Sequence, residues 1–231
     1  MAESEKTSLL SLLPADARPR EKMLAKGPAA LADSELLALI LRTGLVGKDV
    51  LSLSAELLAQ HGGLRGLLNT PAAQLQTIKG LGAAKLCQLQ EVLELTRRAL
   101  AQELAEKPAL QSPQAVRQFL QLQLQHQRHE VFCVLFLNTQ NHLIACEDMF
   151  RGTLDSAAVY PREIASRALQ LHARSVILAH NHPSGQALPS ASDKQLTTRI
   201  REALALLDIG LLDHLIIAGA ASYSMAEQGD C

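Results

Sequence analysis

The chain has 231 residues, 48% of them hydrophobic and 19% charged, with a formal net charge of −1. This is the balance of a globular protein of one or two domains with a sizeable core. Trp is absent and only four Phe and two Tyr occur, which argues against an aromatic-lined sugar site or a base-stacking platform. Residues 1–108 hold 13 basic and 12 acidic side chains, and residues 109–231 hold 9 and 11, so neither half has the basic excess of a strong nucleic-acid binder. The cysteines Cys87, Cys133, Cys146 and Cys231 form no CxxC pair, so neither a disulfide framework nor a cysteine-type zinc site is expected. The N-terminus MAESEKTSLLSLLPADARPR lacks the basic and apolar regions of a signal peptide. No apolar stretch reaches the roughly 18 residues of a membrane span. A cytoplasmic protein without membrane contact is expected.

Residues 33–106 are rich in Leu, Ala, Gln and Glu at helical spacing. The spacing predicts a helix over 34–41 after Asp33 as N-cap, one over 50–61 ending at Gly62-Gly63, a short one over 71–78 and a long one over 83–106. No strand is evident there. Leu75-Gln76-Thr77-Ile78-Lys79-Gly80-Leu81-Gly82-Ala83-Ala84-Lys85 resembles a helix-hairpin-helix (about 71–98). Gly80 and Gly82 permit a tight turn, and the backbone N–H groups that open the next helix favour a phosphate. Lys79 and Lys85 flank the turn, so it is a candidate contact for a DNA backbone, which such hairpins grip without reading bases. The alternative is a hairpin used only for packing.

Glu106-Lys107-Pro108 marks a boundary between a helical domain, 1–107, and a second domain, 108–231. In the second, a helix is expected from Ser112-Pro113 to about Gln125. Val131 to Leu137 reads as a buried strand and His142 to Cys146 as its hairpin partner. Further on, 161–172 is a helix with Pro at its first turn, 175–179 a buried strand, 192–207 a helix and 214–218 a final strand. Alternation of this kind implies an α/β layer, whose ligands collect at the C-terminal ends of strands.

One such end carries His180-Asn181-His182-Pro183-Ser184-Gly185, followed by Pro189-Ser190 and Asp193. Strand alternation lets His180 and His182 face the same way, and the loop beyond them can return Asp193 to meet both imidazoles. Two His and one carboxylate leave the fourth tetrahedral position to water, as in catalytic rather than structural zinc sites. The competing reading of Ser190-Ala191-Ser192-Asp193 is a helix N-cap with an acidic N3 residue, and the two roles are compatible. From the chain's own composition, a chance match to H-x-H-x7-S-x2-D arises roughly once per thousand such sequences. Asp213-His214 is a rival pair, read as hydrogen-bonded core polar residues or as support for a ligand. Arg162 reads as a solvated charge or a contact for a substrate carboxylate.

H-x-H-x7-S-x2-D resembles the core of the JAMM (MPN+) zinc metalloproteases. HNHPSG with Pro189, Ser190 and Asp193, Asp213-His214-Leu215-Ile216, and near the start Arg18-Pro19-Arg20-Glu21-Lys22 and Ser34-Glu35-Leu36-Leu37 resemble the bacterial RadC family, from about residue 15 to 228. The resemblance implies a cytidine-deaminase-like α/β JAMM domain after a small all-α helix-hairpin-helix domain. It implies one zinc per chain on His180, His182 and Asp193, with a metal-activated water that attacks an amide of a peptide or protein. It also selects the upstream base. Glu130, Glu147, Asp148, Asp155 and Glu163 are all available carboxylates, and Glu130 is the one that falls at the family's position. Ser190 would then donate to the oxyanion. The family also carries a DNA-repair label, so the second function is a DNA-associated repair or recombination module with a non-catalytic metal. A nuclease is a third, although one such ligand set offers a single metal where many nucleases use two.

Overall fold

A computed structural model describes residues 13–124, 127, 129–152 and 159–231. The segment before Leu13, the expected helix end at Gln125 and the carboxylate Asp155 lie outside these residues. The chain divides into two compact units, one running to Glu94 and the other from Leu95 to Cys231. The division falls inside a single long helix.

The first unit is helical, with α1 (Pro19–Lys26), α2 (Asp33–Leu41), α3 (Val50–His61), α4 (Leu64–Leu68), α5 (Ala72–Leu75) and the start of α6 (Ala83–Glu106). Helix α3 has the expected bounds because both ends carry local stop signals. The Asp49 carboxylate accepts from Leu51 N and Ser52 N, and Gly62 closes the helix in the left-handed region at φ 70, where only Gly avoids a Cβ penalty. Helix α2 begins one residue early. Its cap position is Ala32, whose N–H donates to the Glu35 carboxylate at 2.8 Å. The helix expected over 71–78 shortens to α5, because tight i→i+3 bonds carry the chain from Gln74 to Leu81. Leu37, Leu41, Leu53, Leu57, Leu67, Leu81 and Leu89 form its core.

The second unit holds α7 (Pro113–Leu124), α8 (Pro161–Gln170), α9 (Ala191–Ala205) and a five-stranded sheet. The strands are β1 (Val131–Leu137), β2 (Leu143–Arg151), β3 (Ser175–Asn181), β4 (Gly210–Ala218) and β5 (Ala221–Ser224). Their order is β2-β1-β3-β4-β5. Only β3 and β4 run parallel, and α9 is their crossover, so the fold is mixed α/β.

Period-2 alternation divides the sheet between two cores. Val131, Cys133, Leu135 and Leu137 join Ile177, Ala179, Leu215 and Ile217 under α7. Phe132, Val134 and Phe136 join Val176 and Leu178 beneath α8 and α9. Burying each large apolar side chain contributes about 1.5–3 kcal/mol. Double-sided burial therefore explains why β1 and β3 read as unbroken apolar runs. Strand β5 has only four residues, too few for a periodic signal. Among the described residues, no helix is long and apolar enough to cross a membrane.

Candidate metal centre

The second core face ends in polar residues. Strand β3 continues past the expected Ala179 to Asn181, and the ladder reaches one residue further through His182 N donating to Ile217 O at 2.8 Å. Extended geometry therefore persists through both histidines, and they share the face of Val176 and Leu178. The turn from His182 to Gly185, closed by a 3.1 Å bond between Gly185 N and His182 O, then releases the chain. Gly185 takes φ 84, a left-handed conformation that suits Gly.

Helix α9 brings the third member. Ser190 Oγ accepts from Asp193 N at 3.1 Å, and Ser190 N donates to Asp193 Oδ2 at 2.7 Å, a reciprocal capping box. The Ser190 hydroxyl also donates to Asp193 Oδ2 at 2.6 Å. These bonds use Oδ2 and leave Oδ1 turned to His180 Nε2, 3.4 Å away. His182 Nε2 lies 3.6 Å from Oδ2 and 2.9 Å from His180 Nε2.

Atoms about 2.0–2.2 Å from a tetrahedral zinc stand roughly 3.3–3.6 Å apart. The two His–Asp distances fall in that range but end on different carboxylate oxygens, Oδ1 for His180 and Oδ2 for His182, and the histidine pair sits slightly inside it. His182 Nδ1 donates to Gln186 O at 2.8 Å, so in the neutral ring the Nε2 lone pair faces inward. His180, His182 and Asp193 form a group able to hold a metal ion.

Glu130 completes the constellation from the position just before β1. Phe132 pairs with His180, and continuing that register sets Glu130 opposite His182 on the same face. Its Oε1 lies 4.0 Å from His180 Nε2. Side-chain exposure rises from 1% at His180 through 12% at Asp193 and 18% at His182 to 23% at Glu130. The site is thus rooted in the core and opens to solvent between His182 and Glu130. The other candidate carboxylates go elsewhere. Glu147 pairs bidentately with Arg167, Asp148 accepts from Gln123, and Glu163 pairs with Arg162, which lies over the Tyr160 ring.

Electrostatics separates the two carboxylates. Burial, with the Asp193 charge next, raises the Glu130 pKa. For Asp193, burial acts upward, but the adjacent His182, the hydrogen bonds from Ser190 and the neighbouring His180 outweigh it and hold the carboxyl well below its usual range. Two acids pushed apart in this way suit an anionic ligand beside a proton carrier.

Burial pushes His180 down to about 4 and lowers His214, whereas the adjacent Asp193 carboxylate raises His182. Between pH 6.5 and 4 the unfolded chain therefore holds a proton at position 180 that the folded chain does not. Stability from this group is complete above pH 6.5 and falls as pH drops to 4, by about 3 kcal/mol, partly offset by His182. Urea unfolding in chelator should show the metal-free protein weaker at pH 4.5 than at pH 7.

Sequence reasoning passed over Asn181. Its Oδ1 accepts from Val131 N at 2.8 Å, and its Nδ2 donates to His129 O at 3.0 Å, so one amide clamps the backbone on both sides of Glu130. The middle position of HNH was the only signal, and it has meaning only once β1 and β3 pair. Of the rival pair, Asp213 caps the end of the β4–β5 hairpin, accepting from Ser224 Oγ, Ala226 N and His214 N. His214 Nε2 meets His180 Nδ1 at 2.8 Å.

In the helical unit, Gly80 adopts φ 100, and a Cβ there would meet the Leu45 side chain at 2.8 Å. Gly82 leads directly into α6, and Lys79 lies on the turn between α5 and α6. Lys85 Nζ donates to Thr43 O at 2.5 Å, so this cation is spent on a backbone carbonyl.

Residues 110–230 match the RadC-like JAB domain family, and residues 10–87 match the UPF0758 N-terminal family. A UPF0758 protein of Methylibium petroleiphilum is 58% identical over 217 residues, 94% of this chain and 98% of the relative. The chain belongs to the RadC-like UPF0758 family. Other UPF0758 proteins are similar, from Polaromonas at 58% over 221 residues and from Delftia acidovorans at 59% over 219 residues. They cover 96% and 94% of this chain, and the matches span 99% and 97% of those relatives. The UPF0758 N-terminal match lies in the helical unit and the JAB match in the unit that holds the sheet. The HNH face and the α9 cap thus sit inside a JAB/MPN fold.

Proposed function

We propose that this protein is a zinc-dependent metallopeptidase or isopeptidase that uses water to hydrolyse an amide of a peptide or protein. The observation that carries this reading is convergence. One ligand atom from each of His180, His182 and Asp193 lies within 4.8 Å of the others, and a carboxylate of raised pKa stands 4.0 Å from His180 Nε2 on the solvent side. A zinc ion held by these three side chains would supply Lewis acidity.

The chain's own groups supply the rest. Glu130 takes a proton from the attacking water and later returns it to the leaving amine. A raised carboxylate pKa brings this base nearer the working pH. Asn181 keeps Glu130 aimed by fixing its backbone. Ser190 donates to the developing oxyanion by exchanging its bond to Asp193 Oδ2 for one to substrate. A peptide-library digest tests the proposal: a product is expected from the zinc-loaded wild type. A zinc-loaded wild type that cleaves no member of the library would count against a peptidase.

A second reading concerns the helical unit, which we propose contacts the phosphate backbone of DNA through the hairpin of α5 and α6. It is favoured by the left-handed Gly80 and by the opening of α6, whose first backbone acceptance is Leu86 N to Gly82 O at 3.1 Å. The N–H groups of Ala83 to Lys85 therefore have no carbonyl behind them in the helix. Lys79→Ala should lower duplex affinity equally for all sequences and reduce the salt slope by about one. Lys85→Ala should act through the Thr43 contact, lowering stability more than binding. Duplex binding measured from low to high salt distinguishes them, and an unchanged slope in Lys79→Ala would remove the phosphate contact.

A further inference from the structure

Two buried polar side chains outside the ligand set form a continuous chain behind His180. Thr197, on α9 one turn after Asp193, has its Oγ1 2.6 Å from Asp193 O and 2.6 Å from His214 Nδ1. His214 Nε2 is 2.8 Å from His180 Nδ1, and His180 Nε2 faces His182 and Asp193. Thr197 is 1% exposed and His214 fully buried, so bulk solvent does not set their proton positions.

A threonine has one proton to give. The Asp193 carbonyl can only accept, and two oxygens 2.6 Å apart need a proton between them. Thr197 therefore donates to Asp193 O, and its lone pair accepts from His214 Nδ1–H. Neutral His214 is left with a lone pair on Nε2, which accepts from His180 Nδ1–H. Neutral His180 then presents its own lone pair on Nε2 to the ligand position. Reversing the chain would place a proton on His180 Nε2, 2.9 Å from the His182 Nε2 lone pair. The two histidines would then bind each other instead of a cation. The chosen direction leaves the Nε2 lone pairs of His180 and His182 facing each other at 2.9 Å, which a cation held by both relieves; reversal would leave Thr197 and the Asp193 carbonyl as facing acceptors, which no cation at the site relieves.

We propose that Thr197 and His214 are positioning residues that hold His180 as its Nδ1–H tautomer and keep its Nε2 open to a metal. This rests on the metal reading above. The chain begins on the carbonyl of Asp193, so the same helix turn that delivers the carboxylate ligand also orients the proton of the histidine ligand. A backbone irregularity in the ladder makes the arrangement possible. The β3–β4 register shifts between Val176 and Ile177, which turns His214 to the site face.

The test is long-range nitrogen–proton NMR of the imidazoles in the metal-free protein at neutral pH, together with zinc affinity by competition with a chromophoric chelator. Wild type should show His180 and His214 protonated at Nδ1. Thr197→Val keeps the shape and loses the hydroxyl. It should move proton population to His180 Nε2 and weaken zinc about 10- to 100-fold, the range for lost outer-shell partners, whereas Thr197→Ser should bind as wild type does. Thermal unfolding establishes that each variant is folded. If Thr197→Val is not, the wild-type spectrum decides alone: His180 protonated at Nε2 overturns the proposal. A folded Thr197→Val with wild-type zinc affinity overturns the positioning role and leaves the metal site standing. A wild type that takes up no zinc overturns the metal reading itself.

Discussion

His182→Ala is expected to lose its metal and keep its fold. Of the three candidate ligands His182 lies nearest the rim, with 18% of its side chain exposed, and the backbone bond that holds it, from His182 N to Ile217 O, does not involve the imidazole. Truncation leaves His180 and Asp193 in place with two donors. Zinc-site free energies of about 10–16 kcal/mol shared among four ligands make each worth about 2.5–4 kcal/mol, so affinity should fall on the order of 10²- to 10³-fold. Metal analysis of purified protein should find about one zinc per chain in wild type and little in the variant. The melting temperature of the metal-free protein should change little. His180→Ala is the blunter test, since it opens a space in the second core and strands His214 Nε2 without its donor. Equal metal in wild type and His182→Ala would rule out the ligand set.

Glu130→Gln should remove hydrolysis and spare the metal. Glutamine keeps the volume and the place in the β1 register, but it takes up no proton. The loss of a general base costs about 10²- to 10⁴-fold in rate. Zinc content should stay at the wild-type level, because Glu130 stands outside the ligand trio, 4.0 Å from His180 Nε2. The pH profile gives a second readout. Burial and the Asp193 charge raise the Glu130 pKa, so activity should fall on the acid side at a pH above the ordinary carboxylate range, and the residue left in Glu130→Gln should lack that limb. A peptide product formed at the same rate by both proteins would take Glu130 out of the mechanism. Loss of zinc in Glu130→Gln would instead make it a ligand.

The elements that were legible in the chain are those whose signals are local. Val131 to Leu137 carries its own bounds in an unbroken apolar run ending at Asn138. The helix Val50–His61 carries Asp49 before it and Gly62 after it. The spacing of His180, His182, Ser190 and Asp193 likewise holds its meaning within fourteen residues, because a strand end, a turn and a helix cap are each short-range. The N-cap and ligand readings of Ser190 and Asp193 are compatible in space, since the cap occupies Oδ2 and leaves Oδ1 free. Glu130 is different. It lies fifty residues before His180, among carboxylates of equal standing, and only a family resemblance separated it from Glu147 or Glu163. In the folded chain, antiparallel pairing of β1 with β3 separates it physically, while Arg167 and Arg162 take up those two rivals.

By itself, then, the amino-acid order determined the helical first half, the apolar strands of the second and a donor set able to hold one ion, since each depends on neighbours within a few turns of chain. The tertiary structure decided which acid faces that set, what holds it there and which way the protons run behind His180. Those answers depend on strand register. Asn181 reaches the backbone beside Glu130 only because β3 lies against β1, and His214 reaches His180 only because a shift in the β3–β4 ladder turns it inward. Register is settled by burying two apolar faces at once, a property of the assembled sheet and of no single segment.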